Sequence, residues 1–164
     1  MQQYDVLIVG AGASGLMCAA TAGYRGRSVL VVEHTKKIGR KILMSGGGRC
    51  NFTNIHNGPA NFISANPHFC KSALSRYSAQ DFIELVDRHG VEYHEKTLGQ
   101  LFCNESSKEI LQLLLTECDW AGVTLQTETE VKGIKPQEEG GYQVETSKGP
   151  IRCESLVIAT GGLS

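Results

Sequence analysis

The stretch Gly10-Ala11-Gly12-Ala13-Ser14-Gly15 constrains this chain more than any other, because of what flanks it. Tyr4 to Val9 is a short apolar run rich in strand formers that stops at the first glycine. Ser14 to Arg25 is alanine-rich and helix-compatible, and Ser28 to Val32 is a second strand-like run. The order is therefore strand, glycine turn, helix, strand within a unit of about 30 residues, the context in which a Gly-x-Gly-x-x-Gly pattern binds a dinucleotide. Gly10 permits the tight turn, Gly12 lets a pyrophosphate come up to the backbone, and Gly15 lets the helix pack against the strand. Ala11, Ala13 and Ser14 complete the turn, and the helix start aims unbonded N–H groups and its dipole at the phosphates. Ala19 and Gly26 are expected to supply the further small contacts between helix and second strand.

Glu33 closes the second strand, 18 residues beyond Gly15, where a carboxylate accepts hydrogen bonds from a ribose diol and disfavours a 2′-phosphate. The next stretch has an unusual charge balance. From His34 to Gln80 there is no Asp or Glu, against Lys36, Lys37, Arg40, Lys41, Arg49, Lys71 and Arg76, although the whole chain is near neutral at −1. Something anionic is expected to meet this stretch; the bland alternative is a solvated loop balanced by the acidic second half. No apolar run reaches the roughly 18 residues of a membrane span, and the N-terminus has neither a basic lead nor a cleavage site, which predicts a cytoplasmic protein. The six cysteines and five histidines show no metal-ligand spacing, so reduced thiols and no metal are expected.

Lys36 to Asn66 is rich in Gly, Ser, Asn and Arg and reads as one long loop, of the kind that is usually functional. Asn66 to Arg76 and Ser78 to His89 read as helices covering a sheet edge, the second opened by Ser78 with Asp81 three residues on. Ser106 or Ser107 caps a further helix to Trp120, with Ile110, Leu111, Leu114, Leu115 and Cys118 at helical spacing. Val123–Gln126, Glu130–Lys135, Tyr142–Thr146 and Ile151–Cys153 are expected to form a small antiparallel meander. Leu156 to Ala159 carries a buried-strand signature and runs into Thr160-Gly161-Gly162. A doubly wound sheet needs helices on both faces, and none follows this last strand, so the chain is expected to be a truncated domain.

The glycine fingerprint alone does not separate FAD from NAD. Three features favour FAD: the long Gly/Arg loop after Glu33, the meander before the last strand, and that strand's Ala159-Thr160-Gly161-Gly162 end. Within the loop, Ser45-Gly46-Gly47-Gly48-Arg49 offers backbone N–H groups unhindered by side chains beside a guanidinium, suited to anionic oxygen; the alternative is a flexible hinge.

The string Gly39-Arg40-Lys41-Ile42-Leu43-Met44-Ser45-Gly46-Gly47-Gly48-Arg49-Cys50-Asn51-Phe52-Thr53-Asn54 is more diagnostic still. Through it, and along its whole length, the chain resembles the BaiN/RdsA family of bacterial NAD(P)/FAD-dependent oxidoreductases, which includes a bile-acid-dehydroxylation reductase and a ribosomal RNA dihydrouridine synthase. The resemblance implies a Rossmann-like FAD-binding α/β fold of the glutathione-reductase type, with a central parallel sheet and an antiparallel meander. It implies that residues 1–164 are the N-terminal FAD/NAD(P)-binding domain, without the substrate domain and the returning C-terminal segment. Carried over by position, Gly10 to Gly15 would hold the FAD pyrophosphate and Glu33 the adenosine ribose. Arg40, Lys41 and Ser45 to Gly48 would lead to the flavin ring, Val131 would present its backbone to adenine, and Thr160-Gly161 would close over the cofactor. The implied activity is reduction of a conjugated C=C bond with NAD(P)H as donor, uridine in RNA being one candidate substrate. A nucleotide-binding fragment without activity and an NAD-dependent dehydrogenase are the competing readings.

Disulfide reductases of related fold carry a cysteine pair in the corresponding loop, and this loop has Cys50 alone, which argues for direct hydride exchange. Cys50 is a candidate proton donor to the reduced bond, weighed against a buried structural thiol.

Overall fold

In the computed structural model, which describes residues 1–163, strand β1 (Gln2–Val9) is buried on both faces: Leu7 and Ile8 point to opposite sides and both are fully buried. That is the mark of a central parallel strand. It pairs in parallel with β2 (Val29–Val32), all four residues of which are buried, through helix α1 (Ala13–Tyr24) as crossover. Helix α1 covers the sheet with Leu16, Ala19 and Ala20, Leu16 alone contributing about 1.5–3 kcal/mol by leaving water. Gly26 lies exposed in a left-handed turn, and an added Cβ there would meet nothing within 4 Å. The tight contact falls instead at Gly23, where an added Cβ would come within 2.5 Å of the Ala121 carbonyl oxygen.

The sheet has six strands in the order β6-β2-β1-β9-β8-β7. Strand β6 (Thr124–Gln126) joins β2 in parallel, Leu30 opposite Thr124 and Val32 opposite Gln126, so it is not part of the antiparallel meander. The meander consists of β7 (Val131–Pro136), β8 (Tyr142–Thr146) and β9 (Gly149–Ile158). The two strands expected over 151–153 and 156–159 are one: β9 runs unbroken, antiparallel to β8 at its start and parallel to β1 from Gln2 opposite Ile151 to Val9 opposite Ile158. Because β8 pairs no further than Cys153, the last turns of β9 have β1 alone as neighbour; Leu156 and Val157 are half-buried and Ile158 is 59% exposed, less buried than its apolar run implied. Leu7, Leu30, Val32, Val144, Ile151 and Cys153 form the core of this sheet.

The chain divides into two compact units, Met1–Lys41 with the chain from Leu114 onward, and Ile42–Leu113. In the second unit the expected long loop is partly ordered. It contains the short helix α2 (Arg40–Met44, which begins in the first unit), a tight glycine turn over Ser45–Gly48, and strand β3 (Asn51–Asn54). Strand β3 belongs to a three-stranded antiparallel sheet with β5 (Gln100–Cys103) and β4 (Tyr93–Glu95) in the order β3-β5-β4, a sheet with no clear signature in the sequence.

Helix α3 covers only Lys71–Arg76, because Asn66 forms a turn instead, its side-chain oxygen accepting from the His68 N–H at 3.0 Å. Helix α4 (Ala79–Arg88) packs on the edge strand β3, Phe82 lying 6.0 Å from Phe52 between ring centres. The Ser78 hydroxyl accepts from the Asp81 N–H, and the Asp81 carboxylate accepts from the Ser78 N–H at 2.7 Å. Replacing Ser78 with alanine is expected to lower stability by about 1 kcal/mol, read as a shift of the urea midpoint at unchanged slope. Helix α5 (Lys108–Trp120) is capped by Ser106, whose hydroxyl accepts from the Lys108 N–H at 3.2 Å, while Ser107 is buried and donates to the Leu43 carbonyl. Ile110, Leu113, Leu114 and Cys118 form its buried face, with Leu111 and Leu115 at the margin.

Candidate functional site

The turn between β1 and α1 is shaped by three glycines with three different needs. Gly10 has φ +111°, and a Cβ there would meet the Ala159 carbonyl oxygen at 2.3 Å. At Gly15 a Cβ would meet the Gly10 carbonyl oxygen at 1.9 Å, so the helix can start this close to the strand only without a side chain. Gly12, the residue that caps α1, is the reverse: among the described residues nothing beyond its own neighbours in the chain and helix lies within 4 Å of the place a Cβ would take, and no side chain caps the helix start. A close-packed turn thus leaves open space at the positive end of a 12-residue helix, which fits a pyrophosphate.

Glu33 meets this turn. One carboxylate oxygen accepts from the Ala11 N–H at 3.1 Å, the other from the Thr35 N–H at 3.0 Å, with the Thr35 hydroxyl 3.0 Å and His34 Nδ1 3.0 Å away. The oxygen that accepts from Ala11 keeps a lone pair and the side chain is 14% exposed, so a ribose hydroxyl can still be bonded there. Burial alone would raise the Glu33 pKa, but the hydrogen bonds from Thr35 and Ala11 outweigh it and hold the carboxyl below its usual value. The Gly39 N–H donates to the Ala11 carbonyl at 3.0 Å, tying the following loop back to the glycine turn. Thr129, buried, donates its N–H to the Glu33 carbonyl at 2.9 Å and leads into Val131, whose side chain packs against the core. Thr35 and Thr129 carry no role in the sequence reading, and Gly39 figures there only as the first residue of the diagnostic string; a threonine two residues after the acid is the local hint for Thr35.

The end of β9 closes the same turn, Gly10 lying against Ala159 and Thr160. Lys41 extends its ammonium to the Gly162 carbonyl at 3.2 Å, beside Gly161, which has φ +78°; Arg40, next to it, is exposed. Gly10 to Gly15, Glu33, Lys41 and Thr160-Gly161, distant in sequence, are therefore gathered in one unit.

Ser45 to Cys50 fall in the second unit and form a compact turn there. Gly46, Gly47 and Gly48 are all left-handed, with φ of 56°, 65° and 87°. The Arg49 guanidinium donates to the Asn104 carbonyl at 2.7 Å, which fixes its direction and leaves further N–H groups exposed. Gly46 is the crowded member: a Cβ would approach the Asn51 nitrogen to 2.7 Å and the Phe102 ring to 2.8 Å, whereas Gly47 has open space. Gly47→Ala is expected to cost about 1–2 kcal/mol, the left-handed penalty alone. Gly46→Ala is expected to cost at least twice as much, both read from denaturant midpoints. Cys50 itself has φ 50° and is buried; burial raises its thiol pKa, the Ser45 side chain partly opposing. Cys103, fully buried, is pushed up to about 11, mainly by burial and then by Cys50 and Glu109. Both are protonated, shielded thiols near neutral pH. Among the described residues no group of His, Cys, Asp or Glu is placed to hold a metal ion, and no helix is long and apolar enough to cross a membrane.

A glycine turn opening onto a helix start, an acid ending the second strand and a meander running into the central parallel sheet define a Rossmann-like α/β domain of the FAD-binding oxidoreductase type. The chain belongs to the HI0933-like protein Rossmann domain family, which matches residues 4–164. Over all of its length it is 52% identical to the ribosomal RNA dihydrouridine synthase of Escherichia coli (strain K12), covering 41% of that protein. It is 50% identical to the protein of the same name in Haemophilus influenzae (strain Rd), covering 42%. The chain thus spans about two-fifths of the length of these curated relatives. The fold is also that of 3-ketosteroid-Δ4-(5α)-dehydrogenase from Rhodococcus jostii RHA1, with a TM-score of 0.69 at 16% identity over 98% of this chain and 46% of that one.

Proposed function

We propose that residues 1–164 are the FAD- and NAD(P)-binding part of a cytoplasmic, flavin-dependent oxidoreductase that reduces a conjugated C=C bond, the C5=C6 bond of uridine in ribosomal RNA. The observation that carries the cofactor reading is the pairing of the open space at Gly12 with the Glu33 carboxylate, which the Ala11 N–H holds at the same turn. The relatives at 52% and 50% identity, named as ribosomal RNA dihydrouridine synthases, support the substrate.

In this reading the first-turn N–H groups of α1 bind the pyrophosphate, Glu33 binds the adenosine ribose and the Val131 backbone faces adenine. Lys41 and Thr160-Gly161 confine the cofactor where β9 ends, and Arg40 and the Ser45–Arg49 turn lead to the ring. The flavin, when bound, supplies hydride transfer from a reduced nicotinamide to the double bond. The first unit's residues orient the cofactor and offset its negative charge with Arg40 and Lys41.

An absorbance spectrum after gel filtration tests this. Oxidised flavin bands that bleach on adding NADH or NADPH are expected, with dihydrouridine appearing in ribosomal RNA incubated with the protein. Tight NAD binding without flavin would replace the reading by a nicotinamide-dependent dehydrogenase.

A further inference from the structure

The acid-free stretch extends well beyond the residues assigned to the cofactor, and its later part forms a surface of its own in the second unit. Between β3 and α4 the chain exposes Phe62 at 40%, Phe69 at 56% and Ile63 fully. The two phenylalanines meet edge to face at 6.3 Å, so their ring faces are held rather than free to collapse. Lys71 and Arg76, on α3, are exposed and make no ion pair among the described residues, and His68, three residues before Lys71, and His56 are exposed in the same segment. A groove runs past α3, lined by Asn57, Pro59, Lys71, Leu74, Ser75 and Ser78, and the side-chain amide of Asn57 makes no hydrogen bond among the described residues. The nearest acid in sequence, Asp81, is engaged by the Ser78 N–H and hydroxyl.

We infer that this face, residues 55–77, docks single-stranded RNA. The inference rests on the RNA reading above and adds where the polynucleotide lies. An ordinary solvated surface mixes both signs of charge, and a protein-binding patch is as free to carry carboxylates as amines. A face with exposed ring planes, an uncommitted amide, unpaired cations and no carboxylate anywhere in residues 55–77 suits a polyanion whose bases stack and whose edges hydrogen-bond.

The test is fluorescence anisotropy of a 12-nucleotide uridine-rich RNA with the protein in the form the cell makes it, across a salt series. Lys71→Ala with Arg76→Ala is expected to weaken binding about 10-fold and to flatten the slope of log K against log salt by about 1.4, at about 0.7 per phosphate contact. Phe62→Leu with Phe69→Leu keeps apolar bulk and is expected to weaken binding about 10-fold with the slope unchanged. The charge reversals Lys71→Glu and Arg76→Glu, at exposed positions, guard against a folding artefact, and reduction of bound flavin by NAD(P)H is expected to be unchanged in every variant. Wild-type affinity in all these variants would overturn the docking surface and leave the RNA reading standing. Wild-type protein that neither binds RNA nor forms dihydrouridine would overturn the reading itself.

Discussion

Replacing Gly12 with alanine is expected to leave the domain folded while lowering flavin affinity by about 100-fold, or about 2.8 kcal/mol. The two effects separate because of where the methyl goes. Among the described residues no atom beyond the local chain and helix backbone lies within 4 Å of that position, and the backbone there has a φ of −91°, acceptable to any residue. The fold loses no more than about 1 kcal/mol, the difference between glycine and alanine as a helix cap. The space the methyl enters is the space the pyrophosphate needs. Gly10→Ala makes the contrast: the methyl would have to displace the Ala159 carbonyl from 2.3 Å while adopting φ +111°, and destabilisation by about 2–6 kcal/mol is expected from strain and overpacking together. Thermal melts with and without added FAD distinguish the two. Equal losses of stability in both variants would show that the turn has no free cradle.

Glu33→Gln carries the second large effect. Both carboxylate oxygens of Glu33 accept from backbone N–H groups, those of Ala11 and Thr35. An amide presents one acceptor and one donor, so one of the two N–H groups must face another donor, at a cost of about 1–3 kcal/mol. The pH dependence follows from the lowered pKa. Glu33 in the folded chain sits below its ordinary 4.5, so its stabilisation is fully present above that value and is lost as pH falls through the lower folded-state pKa. Wild type and Glu33→Gln should therefore differ most near neutral pH and converge in acid. Unchanged separation at pH 3 and pH 7 would mean that the carboxylate charge contributes nothing. The variant should also weaken adenosine binding and lose its bias against a 2′-phosphate, which titration with ADP and 2′-phospho-ADP resolves.

The glycine turn and Glu33 were readable because their signals are local: a strand that stops at a glycine, a helix that starts there, an acid at a set distance. Elements defined by a distant partner were not readable in the same way. Strand β6 is three residues long, too short to show a period, and it is parallel only because β2, some 90 residues earlier, lies beside it. Glu154-Ser155 looked like a break between two strands, yet β1 pairs straight through it, Val6 standing opposite Ser155. Strands β3 and β4 contain Asn51, Asn54, His94 and Glu95, polar residues without alternation, and only β5 between them holds them as strands. Gly26 invited a packing role by its smallness, but a glycine's use depends on what stands opposite it, and Ala121 stands opposite Gly23. The gathering of Lys41 with Gly161-Gly162 likewise depended on tertiary closure across 121 residues.

The pairing of β1 with β9 also sets a clock on biosynthesis. The two strands lie about 150 residues apart, yet β9 supplies one full edge of β1. A ribosome adding 5–20 residues per second needs roughly 8–30 s to deliver the second after the first. Over that interval β1 can pair with β2 through α1, and β7 with β8 through their hairpin, while the other edge of β1 stays open with Leu7 and Ile8 uncovered beside it. The nascent chain is thus a natural client for a holdase, and strains lacking one should accumulate this protein in inclusion bodies before its mature stability changes at all.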